Sequence, residues 1–94
     1  MDEIIHQPMR LKIMAALNTL RAQEELDFSR LKAIVEATDG NLGAHIGTLE
    51  KAGYVAVSKT FAGKRPRTGL RMTREGRKAF AGHVAALREI LEGA

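Results

Sequence analysis

The sequence of 94 residues predicts a mainly α-helical fold that carries one small β-hairpin. Four segments repeat apolar residues at the three- and four-residue spacing of a helix, whereas residues 54–60 alternate with a period of two. A stretch that contains glycine and proline separates this alternating segment from a second short apolar run, as a hairpin requires. Since 45% of the residues are apolar, there is material for one core, and we expect a single domain over residues 1–94.

Two helices are predicted to open the chain. The first follows Pro8, because proline is favoured in the first turn of a helix. Its apolar stripe consists of Met9, Ile13, Ala16, Leu17 and Leu20. The second is short and is capped by Asp27 or Ser29. Its predicted buried face consists of Phe28, Leu31, Ile34 and Val35.

The third helix is predicted to begin at a Thr38 or Asp39 cap and to end at Gly53, since glycine commonly ends helices in the left-handed conformation. Its inward residues are Leu42, Ile46 and Leu49. After the third helix, the hairpin pairs a strand that contains Val55 and Val57 with a strand that contains Leu70 and Met72. We expect its connection, residues 61–68, to exceed a two-residue turn.

A last helix is predicted behind a Thr73 cap. Its apolar stripe consists of Phe80, Val84, Leu87 and Leu91, and is widened by Ala79, Ala86 and Ile90. The full order is therefore three helices, a two-stranded ribbon and a closing helix.

Positive charge is concentrated in one part of the chain. Eight of the fifteen Lys and Arg residues lie between Lys59 and Lys78, where Glu75 is the one acid. This segment carries a formal +7, and because the whole chain carries +4, the remaining residues sum to −3. Charge placed in this way favours a polyanionic partner such as nucleic acid.

The composition argues against several functions. The chain has no cysteine, so disulfides, thiolate metal sites and thiol nucleophiles are absent. His6, His45 and His83 are distant in sequence, and no nucleophile motif is recognisable, so we expect no enzyme, no metal site and no cofactor. No apolar run approaches the length of a membrane span and the start of the chain does not resemble a secretion signal, so we expect a cytoplasmic protein.

Two stretches carry a resemblance to a known family. Residues 41–55 read NLGAHIGTLEKAGYV and residues 70–76 read LRMTREG. They are similar to the recognition helix with the first wing strand, and to the second wing strand, of short winged helix-turn-helix transcriptional regulators related to the MarR and ArsR groups. The resemblance implies a helix-turn-helix at about 27–53, a wing at about 54–72 and a C-terminal dimerisation helix at about 73–92. It also implies sequence-specific binding of duplex DNA by a homodimer, with the third helix in the major groove.

The helical step of the third helix identifies candidate contact residues. With its apolar residues facing the core, its polar and small residues turn outward or to the flanks. Basic residues of the hairpin can then contact phosphates or enter the minor groove. The predicted DNA-binding residues are Asn41, Ala44, His45, Thr48 and Lys51 of the third helix, with Lys64, Arg65, Arg67 and Arg71 of the wing.

Glycines at positions 40, 43 and 47 interrupt this third helix. Each costs about 0.8–1 kcal/mol relative to alanine in a helix, so their presence asks for a reason. The sequence leaves two reasons open, which are close approach of the backbone to a partner and packing against the second helix.

The terminal helices carry more apolar residues than one small core needs. Leu11 and Met14 on the first helix, and Ala86 and Ile90 on the last, predict a two-fold homodimer formed by these helices. A small-molecule effector between them stays open.

Two other functions remain as alternatives. Residues 40–43 have the GXXG form with which KH domains clamp RNA, although the predicted first helix stands where a KH domain needs a strand. The hairpin could also meet an acidic protein instead of DNA, as a protein-protein interaction module. Such a module would not bind random duplex at low salt, whereas a DNA-binding wing would.

Overall fold

The computed structural model describes residues 1–93 and contains the predicted order of helices and hairpin. Within these residues the elements are α1 (Pro8–Leu17), β1 (Leu26–Asp27), α2 (Phe28–Val35), α3 (Asp39–Lys51), β2 (Val55–Ala62), β3 (Arg65–Met72) and α4 (Arg74–Gly93). The strand β1 is an addition that the sequence pattern did not predict. No helix among residues 1–93 has both the length and the apolar content that crossing a bilayer demands.

The three strands form an antiparallel sheet in the order β1-β3-β2. Leu26 and Asp27 pair with Leu70 and Gly69, so β1 joins the segment between the first two helices to the hairpin. A Cβ at position 69 would lie 2.8 Å from Ser58 Oγ and would overlap the Glu25 carboxylate, so these two side chains, which are joined by a hydrogen bond of 2.7 Å, would have to shift. Glycine at this position therefore leaves room for that hydrogen bond beside the central strand.

The connection of the hairpin is shorter than the sequence predicted. β2 and β3 remain paired out to Ala62 and Arg65, so only Gly63 and Lys64 form the turn, and the prediction of a connection over residues 61–68 was wrong. Gly63 has φ of 66°, which suits a tight turn between twisted strands. Pro66 stays inside β3 because β1 pairs only with residues 69 and 70, which leaves this part of β3 on a sheet edge.

Two helices begin at the capping residues that the sequence predicted. Thr38 Oγ1 accepts a hydrogen bond from the Asn41 amide at 3.2 Å, and Thr73 Oγ1 accepts one from the Gly76 amide at 2.9 Å. Asp27 stands at the start of α2, but its side chain makes no capping hydrogen bond there. α3 and α4 are thus each started by a threonine that satisfies a free amide.

The core is built by the first three helices, the two strands of the hairpin and the segment before α1. Its buried apolar residues are Ile5, Ile13, Met14, Leu17, Leu31, Val35, Leu42, Ile46, Leu49, Val55, Leu70 and Met72. Two predictions fail here. Ile34, predicted to be buried, is 52% exposed, and Met14, assigned to a dimer interface, is fully buried in its own subunit. The N-terminal segment before α1, represented by Ile5, completes the core instead.

The buried face of α4 also differs from the predicted stripe. Gly76 and His83 are its buried residues, whereas Leu91 is 80% exposed. Phe80 and Val84 are only partly buried. The N-terminal half of α4 therefore packs on the core and its C-terminal half extends beyond it, in a molecule that is 54 Å long and 21 Å thick.

Candidate nucleic-acid interface

The orientation of α3 is fixed by its buried face. Leu42, Ile46 and Leu49 point into the core as predicted, so the opposite side of the helix faces solvent. Among the predicted contact residues, Asn41, Ala44 and Lys51 are exposed, whereas His45 and Thr48 are partly buried. Thr48 Oγ1 donates to the Ala44 carbonyl at 3.2 Å, which leaves the lone pairs of its hydroxyl available to a partner.

The three glycines of α3 have open surroundings. An added Cβ at Gly40, Gly43 or Gly47 would meet no heavy atom within 4 Å outside its own helix. Packing against α2, one of the two reasons that the sequence left open, therefore does not explain them. A smooth helix face that lets a partner approach the backbone remains as their explanation.

His45 lies at the flank of α3 that faces α1. Its Nδ1 is 3.2 Å from Arg10 Nη1, and Arg10 Nε donates to the Ile4 carbonyl at 2.5 Å. Arg10 thus connects α3 to the N-terminal segment. Sequence reasoning missed Arg10, since a contact across 35 positions leaves no local pattern that could have indicated it.

The wing, residues 54–72, presents its predicted cations in two ways. Lys64 in the turn and Arg65 beside it are exposed. Arg67 Nε donates to Asp27 Oδ1 at 2.6 Å, in an ion pair whose side chains both keep substantial exposure. Because exposed ion pairs contribute only about 0–1 kcal/mol, a phosphate can compete with Asp27 for this guanidinium.

The wing and the helix-turn-helix are joined through α2. The pair between Arg67 and Asp27 ties the wing to the start of α2, where Phe28, Ser29 and Arg65 line one cleft. At its other end, α2 is tied to the start of α3, because Lys32 Nζ lies 2.7 Å from Asp39 Oδ1. The basic wing, α2 and α3 therefore lie next to one another in the same subunit.

Arg71 lies apart from the other predicted wing residues. It pairs with Ala56 at the base of the wing, six residues along β3 from Arg65, which corresponds to about 20 Å of strand. There it lines a cleft with Arg21, Arg74 and Arg77. Arg77 is held in place by the Leu20 carbonyl, which accepts from its Nη2 at 2.8 Å. The structure thus groups Arg71 with a second basic cluster, of which sequence reasoning missed Arg21.

A polar network lies behind the interface, where α3 leads into β2. The Tyr54 hydroxyl donates to Asp2 Oδ2 at 2.6 Å. The other carboxylate oxygen of Asp2 accepts from the amides of Ile4 and Ile5, at 2.8 and 3.0 Å. The Asp2 amide donates to Nδ1 of buried His83 at 3.3 Å. The network therefore joins the N-terminal segment to α4 and to the start of the wing.

Two pKa values are displaced in this network. Burial raises the pKa of Asp2, but the hydrogen bonds from Tyr54 and the two backbone amides, with the charge of His83, outweigh burial, so the pKa lies below its ordinary value of 3.8. The hydrogen bond to Asp2, then burial and the charges of Asp2 and Glu75, raise the pKa of Tyr54 above 10.0. The stabilisation from Asp2 is lost as pH falls through its folded-state pKa, and that from Tyr54 is lost as pH rises through its own.

Comparisons with known proteins agree with this geometry. A family model described as a winged helix DNA-binding domain matches residues 9–91. An uncharacterized protein of Methanocaldococcus jannaschii is 35% identical over 82 residues, which are 87% of this chain and 86% of that protein. The structure of a transcriptional regulator homologue protein from Pyrococcus horikoshii OT3 superposes with a TM-score of 0.88 at 32% identity, covering 98% of this chain and 88% of that one.

A more distant structure shows the same fold. The PcaV transcriptional regulator from Streptomyces coelicolor superposes with a TM-score of 0.71 at 19% identity, covering 96% of this chain and 62% of that one. The resemblance to winged helix-turn-helix regulators that residues 41–55 and 70–76 carry is thereby confirmed. The chain therefore belongs to the winged helix DNA-binding domain family, as a DNA-binding transcriptional regulator.

Proposed function

We propose that the protein binds duplex DNA sequence-specifically as a homodimer, with α3 in the major groove and the wing on the backbone or in the minor groove. The observation that carries this proposal is the exposed face of α3, where open glycines lie beside the exposed Asn41 and Lys51. Such a face lets the helix backbone come close to base edges, while Asn41 reads them and Lys51 meets a phosphate. The basic wing beside α2 supplies further phosphate contacts.

The charges set how steeply binding depends on salt. Lys51, Lys64, Arg65 and Arg67 can neutralise about four phosphates per subunit, which gives a log-log salt slope of about −3.6 per subunit. Arg67 takes part by exchanging Asp27 for a phosphate oxygen. Arg71 is excluded from this set because it lies at the base of the wing, with the second basic cluster.

The dimer is proposed to form through α4, with support from α1. Ile90 and Leu91 are exposed on the part of α4 that extends beyond the core. Nearer the core, Phe80 and Val84 line an apolar depression beside Asn18, at the end of α1. A two-fold copy would cover both features and would place the two α3 helices on half-sites about one DNA turn apart. Met14, buried within its own subunit, has no place in this interface.

The proposal is tested with fluorescence anisotropy on duplexes selected from a random library, at several salt concentrations. The variant Lys64→Ala with Arg65→Ala is compared with Lys12→Ala with Lys78→Ala, which removes the same charge from exposed positions on α1 and α4. We expect the wing variant to lower the salt slope from about −3.6 to about −1.8 per subunit, and the control to keep it. Equal slopes for the two variants would show that the wing does not contact phosphates.

Selection also tests the sequence-specific part. The wild-type protein should enrich one palindromic motif, because two copies related by two-fold symmetry meet two equivalent half-sites. A protein that uses its wing to meet an acidic protein would enrich no motif and would leave random duplex unbound at low salt.

A further inference from the structure

Arg10 holds one edge of the His45 ring. Its Nη1 lies 3.2 Å from His45 Nδ1, and its Nε donates to the Ile4 carbonyl at 2.5 Å, so the guanidinium is anchored on two sides. The anchoring carbonyl belongs to the segment that Asp2 fixes through the Ile4 amide at 2.8 Å. Arg10 is therefore placed by the N-terminal segment and not by α1 alone.

This contact decides where the neutral His45 ring carries its proton. A guanidinium has donors and no acceptor, so Nδ1 must be the acceptor. A neutral imidazole that accepts at Nδ1 bears its hydrogen at Nε2. The ring thus presents an N–H donor on the edge away from Arg10.

The Nε2 edge faces outward. Each buried side-chain nitrogen and oxygen among residues 1–93 has a hydrogen-bond partner, and within that range Arg10 is the partner of the His45 ring. Nε2 has no second partner there, so it reaches solvent. His45 lies between Asn41 and Thr48 on one flank of α3, because residues three or four positions apart are neighbours on a helix.

We propose that Arg10 is a positioning residue that makes His45 offer its Nε2–H to a hydrogen-bond acceptor of DNA, and so sets a base preference at one position of each half-site. The inference rests on the proposed function. In the major groove the acceptors are purine N7, guanine O6 and thymine O4, whereas a phosphate oxygen would accept without regard to sequence. Since cytosine offers a donor in the groove, the position that His45 reads should exclude cytosine on the contacted strand.

The first test needs no DNA. Nitrogen-15 NMR of the imidazoles in the free protein, at a pH where His45 is neutral, distinguishes a protonated from an unprotonated ring nitrogen. We expect wild type to carry the proton on Nε2, and Arg10→Met to give a mixture of tautomers. Arg10→Lys keeps the charge but lacks the planar fork that spans Ile4 and His45, so it should also give a mixture. Lys12→Met, an exposed change on the same helix, should leave the ring unchanged. A proton on Nδ1 in wild type, or no change in either Arg10 variant, would overturn the inference.

The second test repeats the library selection with wild type, Arg10→Lys and Lys12→Met. Arg10→Lys should relax the preference at one position of each half-site by about fivefold, the lower end of the cost of a mismatched base pair, with the remaining positions unchanged. Unchanged preference at every position would overturn the positioning role. Failure of wild type to select any motif would overturn the proposed function, while the NMR result would still decide the contact between Arg10 and His45.

The acceptor is identified on the selected duplex. Replacing purines at the read position by their 7-deaza forms removes N7, and methylphosphonate linkages remove phosphate charge at chosen sites. Loss of the difference between wild type and His45→Ala on 7-deaza duplex identifies purine N7 as the acceptor, and a difference that survives both replacements points to guanine O6 or thymine O4, so either result supports a base contact. If that difference is lost only on methylphosphonate duplex, His45 donates to a phosphate oxygen, and the proposed base preference is overturned.

Discussion

Gly76, one of the two buried residues of α4, lies against the Tyr54 backbone and Met72, so Gly76→Ala should destabilise the protein. A Cβ there would lie 2.9 Å from Met72 Cγ and would overlap the Tyr54 carbonyl oxygen, which is backbone and cannot rotate away. That oxygen also accepts from the Thr73 amide at 3.0 Å. Overpacking costs about 1–3 kcal/mol and a weakened hydrogen bond about 0.5–1.5 kcal/mol, against a helix gain of about 0.8–1 kcal/mol. The net loss should be about 2 kcal/mol.

Gly82 provides the matched control, since it lies in the same helix and an added Cβ would meet nothing within 4 Å. Gly82→Ala should gain the helix term alone, about 0.8–1 kcal/mol. The assay is urea and thermal unfolding at one fixed protein concentration, because a dimer makes stability depend on concentration. For a chain of this size, Gly76→Ala should lower Tm by about 8–16 °C and Gly82→Ala should raise it by about 4–8 °C. Equal Tm values for the two variants would refute the packing of α4 on the Tyr54 carbonyl.

Three further predictions follow from other parts of the structure. Asp2→Asn should lower the free energy of unfolding at pH 7 by about 1–2 kcal/mol and should flatten the decline of stability below pH 4, which urea titrations between pH 3 and 7 would measure. A parallel decline in wild type and variant would contradict the lowered pKa of Asp2. Gly43→Ala should stabilise the free protein by about 0.8–1 kcal/mol in unfolding experiments but weaken its binding to the selected duplex in anisotropy titrations, and unchanged affinity would argue against close backbone approach. Leu91→Lys should shift the protein toward monomer in sedimentation equilibrium at micromolar concentration, whereas Glu92→Lys, a change at an exposed neighbour, should not. Identical sedimentation profiles for the two variants would show that α4 does not form the dimer interface.

The sequence predicted the elements whose signals are local. Helix order followed from apolar spacing, and the caps at Thr38 and Thr73 followed from the preference of threonine for that position. The two-residue strand β1 is too short to show an alternating pattern, and its partners Leu70 and Gly69 lie far along the chain. The turn is shorter than predicted because Pro66 lies on an edge of the sheet, where proline is tolerated within a strand.

The parts of the candidate site that could not be predicted depend on contacts between distant residues. Asp2 meets His83 across 81 positions and Tyr54 across 52, so no window of sequence contains both partners. His45 was predicted from its place on the third helix, but Arg10, which fixes its ring, lies 35 positions away. Local pattern therefore finds which residues face outward, whereas the orientation of their side chains depends on the folded chain.

The composition of α3 is a compromise between the stability of the helix and the access of a partner to its backbone. Its three glycines together cost about 2.4–3 kcal/mol of helix stability, and no neighbouring atom in the subunit requires them. The helix persists because burial of each large apolar residue contributes about 1.5–3 kcal/mol and the Thr38 cap contributes about 1 kcal/mol. A stabilising alanine is therefore sterically allowed at each of these glycines in the free protein. Since the fold would gain from that change, we attribute the smooth face of α3 to the close approach of a partner, because these three glycines lie on the helix that also presents Asn41 and Lys51 to solvent.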